Sequence, residues 1–184
     1  TALFLVVFLA YGASAITIRY GGTSVPGDRP TSSNPNAIVE DFNDGSFDDI
    51  PLDSITGNYA ILDGSGTSQS APPGGTVNSL YLTTPAPGGS STGFVDVELT
   101  TAANYFGMYW GSMDSYNTLT FWNQGFKVGS FTGDDVTNPA NGNQTSSDTN
   151  RYVNFSDFTF DQFRLESDGF AFEVDNIAVA PVPE

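Results

Sequence analysis

Cysteine and histidine are both absent from the 184 residues, and lysine and arginine together number only five. Without cysteine there are no disulfides, no thiolate nucleophile and no zinc–thiolate site. Without histidine as well, the common nucleophile–base pairs of hydrolases cannot be assembled, and paired carboxylates become the main route to enzymatic chemistry. The basic residues Arg19, Arg29, Lys127, Arg151 and Arg164 stand singly against 21 Asp plus Glu, a net charge of −16. Nucleic acids and anionic membrane surfaces are bound by clustered cations, so neither is an expected partner. The acidic excess suits a solvated exterior and cation binding. Helical spacing is missing too: beyond residue 30 no window of eleven or more residues carries a 3.6-residue apolar repeat.

What is present in quantity is aromatic side chains, glycine and proline: 15 Phe, 20 Gly and 11 Pro, with aromatics at 14%. Short strands joined by turns account for that mixture, and the fold class it predicts is all-β, an antiparallel two-sheet β-sandwich, jelly-roll-like and resembling carbohydrate-binding modules. The densest aromatic run, Tyr105 to Trp122, shows the logic. Tyr105, Gly107, Tyr109 and Gly111 alternate with Phe106, Met108 and Trp110, so successive side chains cover opposite faces. Trp110, on the face of Phe106 and Met108, is expected to be buried. Asn117 to Trp122 forms a second strand, and Gly111 to Ser115 a turn, which together predict a central hairpin. Further strands are expected at 37–42, 59–62, 79–83, 93–99, 126–131, 151–155, 158–165 and 170–179. Asp168-Gly169 is a hairpin-turn signal. The loop 132–150 is long enough to carry specificity.

In domain terms, residues 1–15 read as the remnant of a secretory signal peptide, an apolar run too short to cross a bilayer, followed by Ala13-Ser14-Ala15 with cleavage after Ala15. A retained pilin-like helix is the alternative. Residues 16–36, rich in Gly, Pro, Ser and Thr apart from one short strand at 16–20, read as a flexible N-terminal arm. The sandwich occupies 37–180, and 181–184 open a C-terminal signal.

Three segments carry a family resemblance: Phe106-Gly-Met-Tyr-Trp-Gly-Ser-Met-Asp-Ser-Tyr-Asn117, Phe170-Ala-Phe-Glu-Val-Asp-Asn-Ile177, and Val182-Pro183-Glu184. Together they resemble exosortase-dependent bacterial surface proteins with a PEP-CTERM sorting signal. The resemblance implies export, processing by an exosortase, and a place at a Gram-negative-type cell surface or extracellular matrix rich in exopolysaccharide, with membrane contact only through a C-terminal anchor not present in this sequence. It implies no enzymatic activity.

Two sites are expected. Pairing of the first and last strands of the sandwich would bring Glu40 and Asp41 to Asp175 and Asn176, oxygen donors of the kind a structural Ca²⁺ takes; alternatively Asp175 and Asn176 simply bond the backbone at a strand end. Tyr109, Tyr116 and Trp122, with Asp114 and Asn117, are candidate sugar ligands through ring stacking and hydroxyl bonding; the alternative is that the rings are core. A glycosidase would need two carboxylates in one cleft. Glu98, Glu166 and Glu173 look solvent-facing by strand alternation and no motif pairs them. The sequons Asn143-Gln-Thr and Asn154-Phe-Ser are expected to mean nothing in a bacterium. The function expected is therefore a non-catalytic secreted surface or matrix protein, structural or adhesive. A calcium-supported carbohydrate-binding module or an extracellular filament subunit are the alternatives.

Overall fold

The computed structural model describes residues 15–75 and 79–183. The expected signal segment up to Ser14, Ala13 included, and the terminal Glu184 lie outside them. In chain order the elements are β1 (Thr17–Tyr20), β2 (Ile38–Glu40), β3 (Leu52–Gly57), β4 (Ala60–Leu62), β5 (Tyr81–Thr84), β6 (Gly93–Gly111), β7 (Asn117–Asn123), β8 (Phe126–Thr132), the single helical turn α1 (Gly133–Val136), β9 (Arg151–Ser167) and β10 (Phe172–Pro181).

Two long strands organise everything else. β6 and β9 pair antiparallel along their whole lengths, but the register shifts between Glu98 and Tyr105. Before the shift, residues 93–98 lie between β3 and the second half of β9, which also pairs with β7. After it, residues 105–111 lie between the first half of β9 and β10. Each long strand thus serves both layers, and the continuous sheet folds over on itself into a sandwich. Alternation decides what fills it. Val95, Val97, Phe163, Leu165, Leu119 and Phe121 from one layer meet Phe106, Met108, Trp110, Val153, Phe155 and Val174 from the other, all fully buried. Phe106 contacts Phe163 at 4.9 Å and Phe121 at 5.1 Å between ring centroids, edge-on. At about 1.5–3 kcal/mol for each fully buried large apolar side chain, this core holds a domain that has no disulfide.

The outer face of β6 is covered as well. Tyr105 and Tyr109 are buried there, Gly111 packs against Pro72, and Tyr105 Oη bonds Ser32 and Asn154. The cover is residues 16–36, which corrects the expectation of a flexible arm. β1 pairs with β9, Thr23 bridges Thr31, and Tyr20 Oη donates to the Val136 carbonyl at 2.7 Å. Apolar residues are few in the segment, but Ile16 and Ile18 pack against the core and polar groups supply further anchors, above all Arg29, only 2% exposed.

Two expected hairpins are also corrected. β6 and β7 are not paired, because the 112–116 connection crosses from one layer to the other; β9 and β10 are separated in the same way across 168–171. The hairpin that does form joins β7 to β8 through Gln124 and Gly125, with φ of 51° and 78°, the left-handed pair of a two-residue primed turn. The 151–155 and 158–165 strands are one, and β3 was not foreseen.

Candidate functional site

The layer crossings at 112–116 and 168–171 open a polar pocket of about 300 Å³ at one end of the sandwich. Its walls are the 66–70 loop, residues 112–116, residues 141–144 of the long loop, and the entry to β10 at 170–173. Asn117, fully buried at the start of β7, sets the geometry: its side-chain oxygen accepts the Asp114 N–H at 2.9 Å while its amide donates to Ser167 Oγ and the Ala171 carbonyl. Gly142 approaches Asp114 so closely that a β-carbon would lie 2.5 Å from Oδ1, and its φ of 64° lies in the left-handed region that favours glycine. Asn150 ties the loop down by donating to the carbonyls of Asn143 and Ser146.

Two acids face this space. Glu173 is 2% exposed; its Oε1 accepts the Ser70 N–H at 2.8 Å, and its Oε2 has no partner. Burial, reinforced by the nearby Asp114, pushes the Glu173 carboxyl up to about 8. The Ser112 hydroxyl lies close enough to favour the charged form, yet makes no well-formed hydrogen bond. Asp114 is also raised, chiefly by burial, with a bond from Tyr116 opposing. Tyr116 Oη lies 2.7 Å from Asp114 Oδ2 and 2.6 Å from the Phe170 carbonyl. One phenolic proton serves two acceptors there, so both contacts are satisfied together when Asp114 is protonated. Burial and the neighbouring carboxyl hold the Tyr116 phenol well above its ordinary range.

Of the expected sugar ligands, Asp114 and Tyr116 line the pocket and Asn117 supports it from beneath. Tyr109 does not belong: it is buried under the 16–36 segment. Trp122 is half-buried at the far end of β7, with the Arg164 guanidinium 5.9 Å from its ring centre. Trp110 is core, stacked on Phe172 at 4.5 Å. Glu173 was expected to face solvent; β10 is buried on both faces because the 66–73 loop covers Glu173 and the segment around Arg29 covers Asp175 and Asn176. Glu173, Ser112, Gln69, Asn141 and Gln144 carried no spacing signal, since they meet only through layer crossings.

The expected cation set is half assembled. β2 does pair with β10, Glu40 opposite Ile177. Glu40, however, spends its oxygens on the Phe42 and Asp49 N–H groups, and half-buried Asp41 accepts from Asn43. Asp175 is fully buried with Arg29 Nη1 at 2.8 Å, so a guanidinium stands where the cation was expected. Burial raises the Asp175 carboxyl and Arg29 draws it back toward the charged form. Asn176, at φ 49° in a bulge of β10, donates to the Arg29 carbonyl. A different acidic group lies on the exposed 43–49 loop: Asp44, Asp48 and Asp49 place carboxylate oxygens within 4.8 Å of one another and could hold a metal ion. Ser46 bonds Asp44 and Asp48, lowering the Asp44 carboxyl, whereas burial and the surrounding acids raise Asp49.

No protein-family model matches the chain, and no curated protein does. Among solved structures, a carbohydrate-binding module, the CBM32 of AlyQ in complex with 4,5-unsaturated mannuronic acid, aligns at 14% identity and a TM-score of 0.33, covering 71% of this chain and 95% of that one. So distant a likeness says nothing of this chain's ligand.

Proposed function

We propose that this protein is a non-catalytic, saccharide-binding β-sandwich of a bacterial surface or extracellular matrix. The observation that carries the reading is the pocket: its polar lining of hydroxyl, amide and carboxyl groups beside the Tyr116 ring is what hydroxyl-rich ligands require. Sugar rings need both polar partners and a flat apolar surface, and Tyr116 offers each. A glycosidase needs one ionised carboxylate as nucleophile or base beside its acid. Here burial raises both carboxyls, Glu173 to about 8, instead of setting one as acid and the other as base, which supports binding without hydrolysis. Export and exosortase processing belong to the same proposal and rest on the residues that resemble a PEP-CTERM protein, Val182-Pro183-Glu184 among them. Structural calcium belongs to it too, moved to Asp44, Asp48 and Asp49, whose hard oxygen donors suit that ion.

Affinity electrophoresis against a panel of bacterial exopolysaccharides tests the reading, with Asp114→Asn as the pocket variant. Retardation by at least one polysaccharide, relieved in the variant, is expected. Uniform mobility across the panel would sink it.

A further inference from the structure

We infer that the pocket takes an amine-bearing sugar, whose ammonium sits between Glu173 and Asp114; this rests on the saccharide reading and narrows it to a substrate class. Glu173 is the starting point. Glu173 lines the cavity as a carboxyl 2% exposed, with one oxygen bonded to the Ser70 N–H and the other buried without any partner, an acceptor awaiting a donor. The Ser112 hydroxyl beside it, 5% exposed, is likewise unsatisfied. Opposite stands a second carboxyl, Asp114. Among the described residues no Lys or Arg lines the pocket, so the cavity holds two acids and no base.

That arrangement selects by charge. Uronates and sulfated sugars would bring a negative charge against two carboxyls in a poorly solvated space, a repulsion that grows as the effective dielectric falls and as either carboxyl ionises. A neutral sugar supplies no charge that would hold either carboxyl in its ionised form. An ammonium supplies three N–H donors and a positive charge at one point, which matches Glu173 Oε2, Ser112 Oγ and the Asp114 carboxyl. A divalent ion fits less well: calcium wants six to eight oxygens, while Asp114 is already engaged by Tyr116 and about 300 Å³ is far more room than one ion fills. The remaining space, edged by Gln69, Asn141, Gln144 and the Tyr116 ring, is left for the hydroxyl-bearing ring.

Titration calorimetry with methyl glucosaminide, methyl N-acetylglucosaminide, methyl glucoside and calcium chloride alone decides the matter. The amine is expected to bind at least tenfold more tightly than the N-acetyl compound, and Glu173→Gln to remove that preference. Ser112→Ala, which keeps both acids, is expected to weaken the amine severalfold and stands in should Glu173→Gln not fold. If the neutral sugars bind as tightly as the amine, the charge selection is overturned and saccharide binding stands. If calcium alone binds and Glu173→Gln abolishes it, the pocket is a metal site and the inference falls. If neither these sugars nor the polysaccharide panel bind, it falls together with the function it rests on.

Discussion

Arg29→Met is the substitution on which the fold should turn. The guanidinium of Arg29 donates from Nη1 to Asp175 Oδ2 at 2.8 Å and to Ser79 Oγ at 2.9 Å, and from Nε to the Pro72 carbonyl at 2.9 Å. Methionine keeps a stem of similar length and apolar character but removes every donor. Asp175, 0% exposed, is then a buried carboxylate with only the Asn176 N–H to bond, and the loop carbonyls lose their donor. Removing one partner of a buried pair costs about 3–5 kcal/mol, a large share of the roughly 5–15 kcal/mol that holds a domain together. At roughly 2–4 °C per kcal/mol for a chain of this size, Tm at pH 7 should fall by about 6–20 °C. Thermal unfolding by circular dichroism measures it. Adding Asp175→Asn should restore at least half of the loss, since a neutral amide costs less to bury than an unpaired charge. The gap should widen as pH rises through about 7, because Asp175 ionises there beside Arg29 in the parent and is held protonated to higher pH once Arg29 is gone. A single variant that melts within about 2 °C of the parent would refute the account, and with it the assignment of residues 16–36 to the folded domain.

Glu173 should make stability fall as pH rises. Its folded pKa of about 8 lies above the ordinary 4.5, so its contribution is fully present below about 4.5 and is lost through about 8. At 1.36 kcal/mol per unit the window is worth roughly 3–5 kcal/mol, and the difference in Tm between the parent and Glu173→Gln should change in that direction between pH 5 and pH 9. Calcium added to chelated protein should stabilise the fold, by about 2.7 kcal/mol at a hundred times Kd, and so raise Tm, and Asp48→Asn with Asp49→Asn should cancel the rise; an unmoved Tm discards the 43–49 loop as a cation site. Trp122→Ala should leave polysaccharide retardation unchanged, because the residue lies at the opposite end of β7 from Tyr116; lost retardation would relocate the binding face.

Periodicity carries local information, and it served where local pairing decided the outcome. The alternation of Val95, Val97 and Leu99, and of Phe106, Met108 and Trp110, gives the buried faces directly, and the all-β class follows. Asp114 and Tyr116 were legible as ligand candidates because they sit in a tight, aromatic-rich connection. What no window of sequence contains is the fold of β6 and β9 across two layers. Tyr105 to Trp122 looks like a hairpin for good local reasons, yet β7 finds its inner partner in Ser167 to Gln162, 40 to 50 residues on.

The pocket is a consequence of that non-local choice. Had β6 and β7 paired, the 112–116 connection would be a surface turn, and Asp114 would be a solvated carboxylate at a hairpin tip. Because the chain crosses layers there and crosses again at 168–171, two polar connections meet, and the 66–70 and 141–144 loops close over them. Glu173 is buried by the same event: in a strand with one solvated face its position would be exposed, as Glu98 is. Strand alternation identifies the side of the sheet but not whether another loop covers it. Two carboxyls alternating with apolar residues in the last strand, Phe172-Glu-Val-Asp-Asn-Ile177, are therefore the sequence feature that most nearly announces the site. Two carboxyls in a strand buried on both faces require partners, and in this protein Arg29 supplies one of them while the cavity leaves the other open.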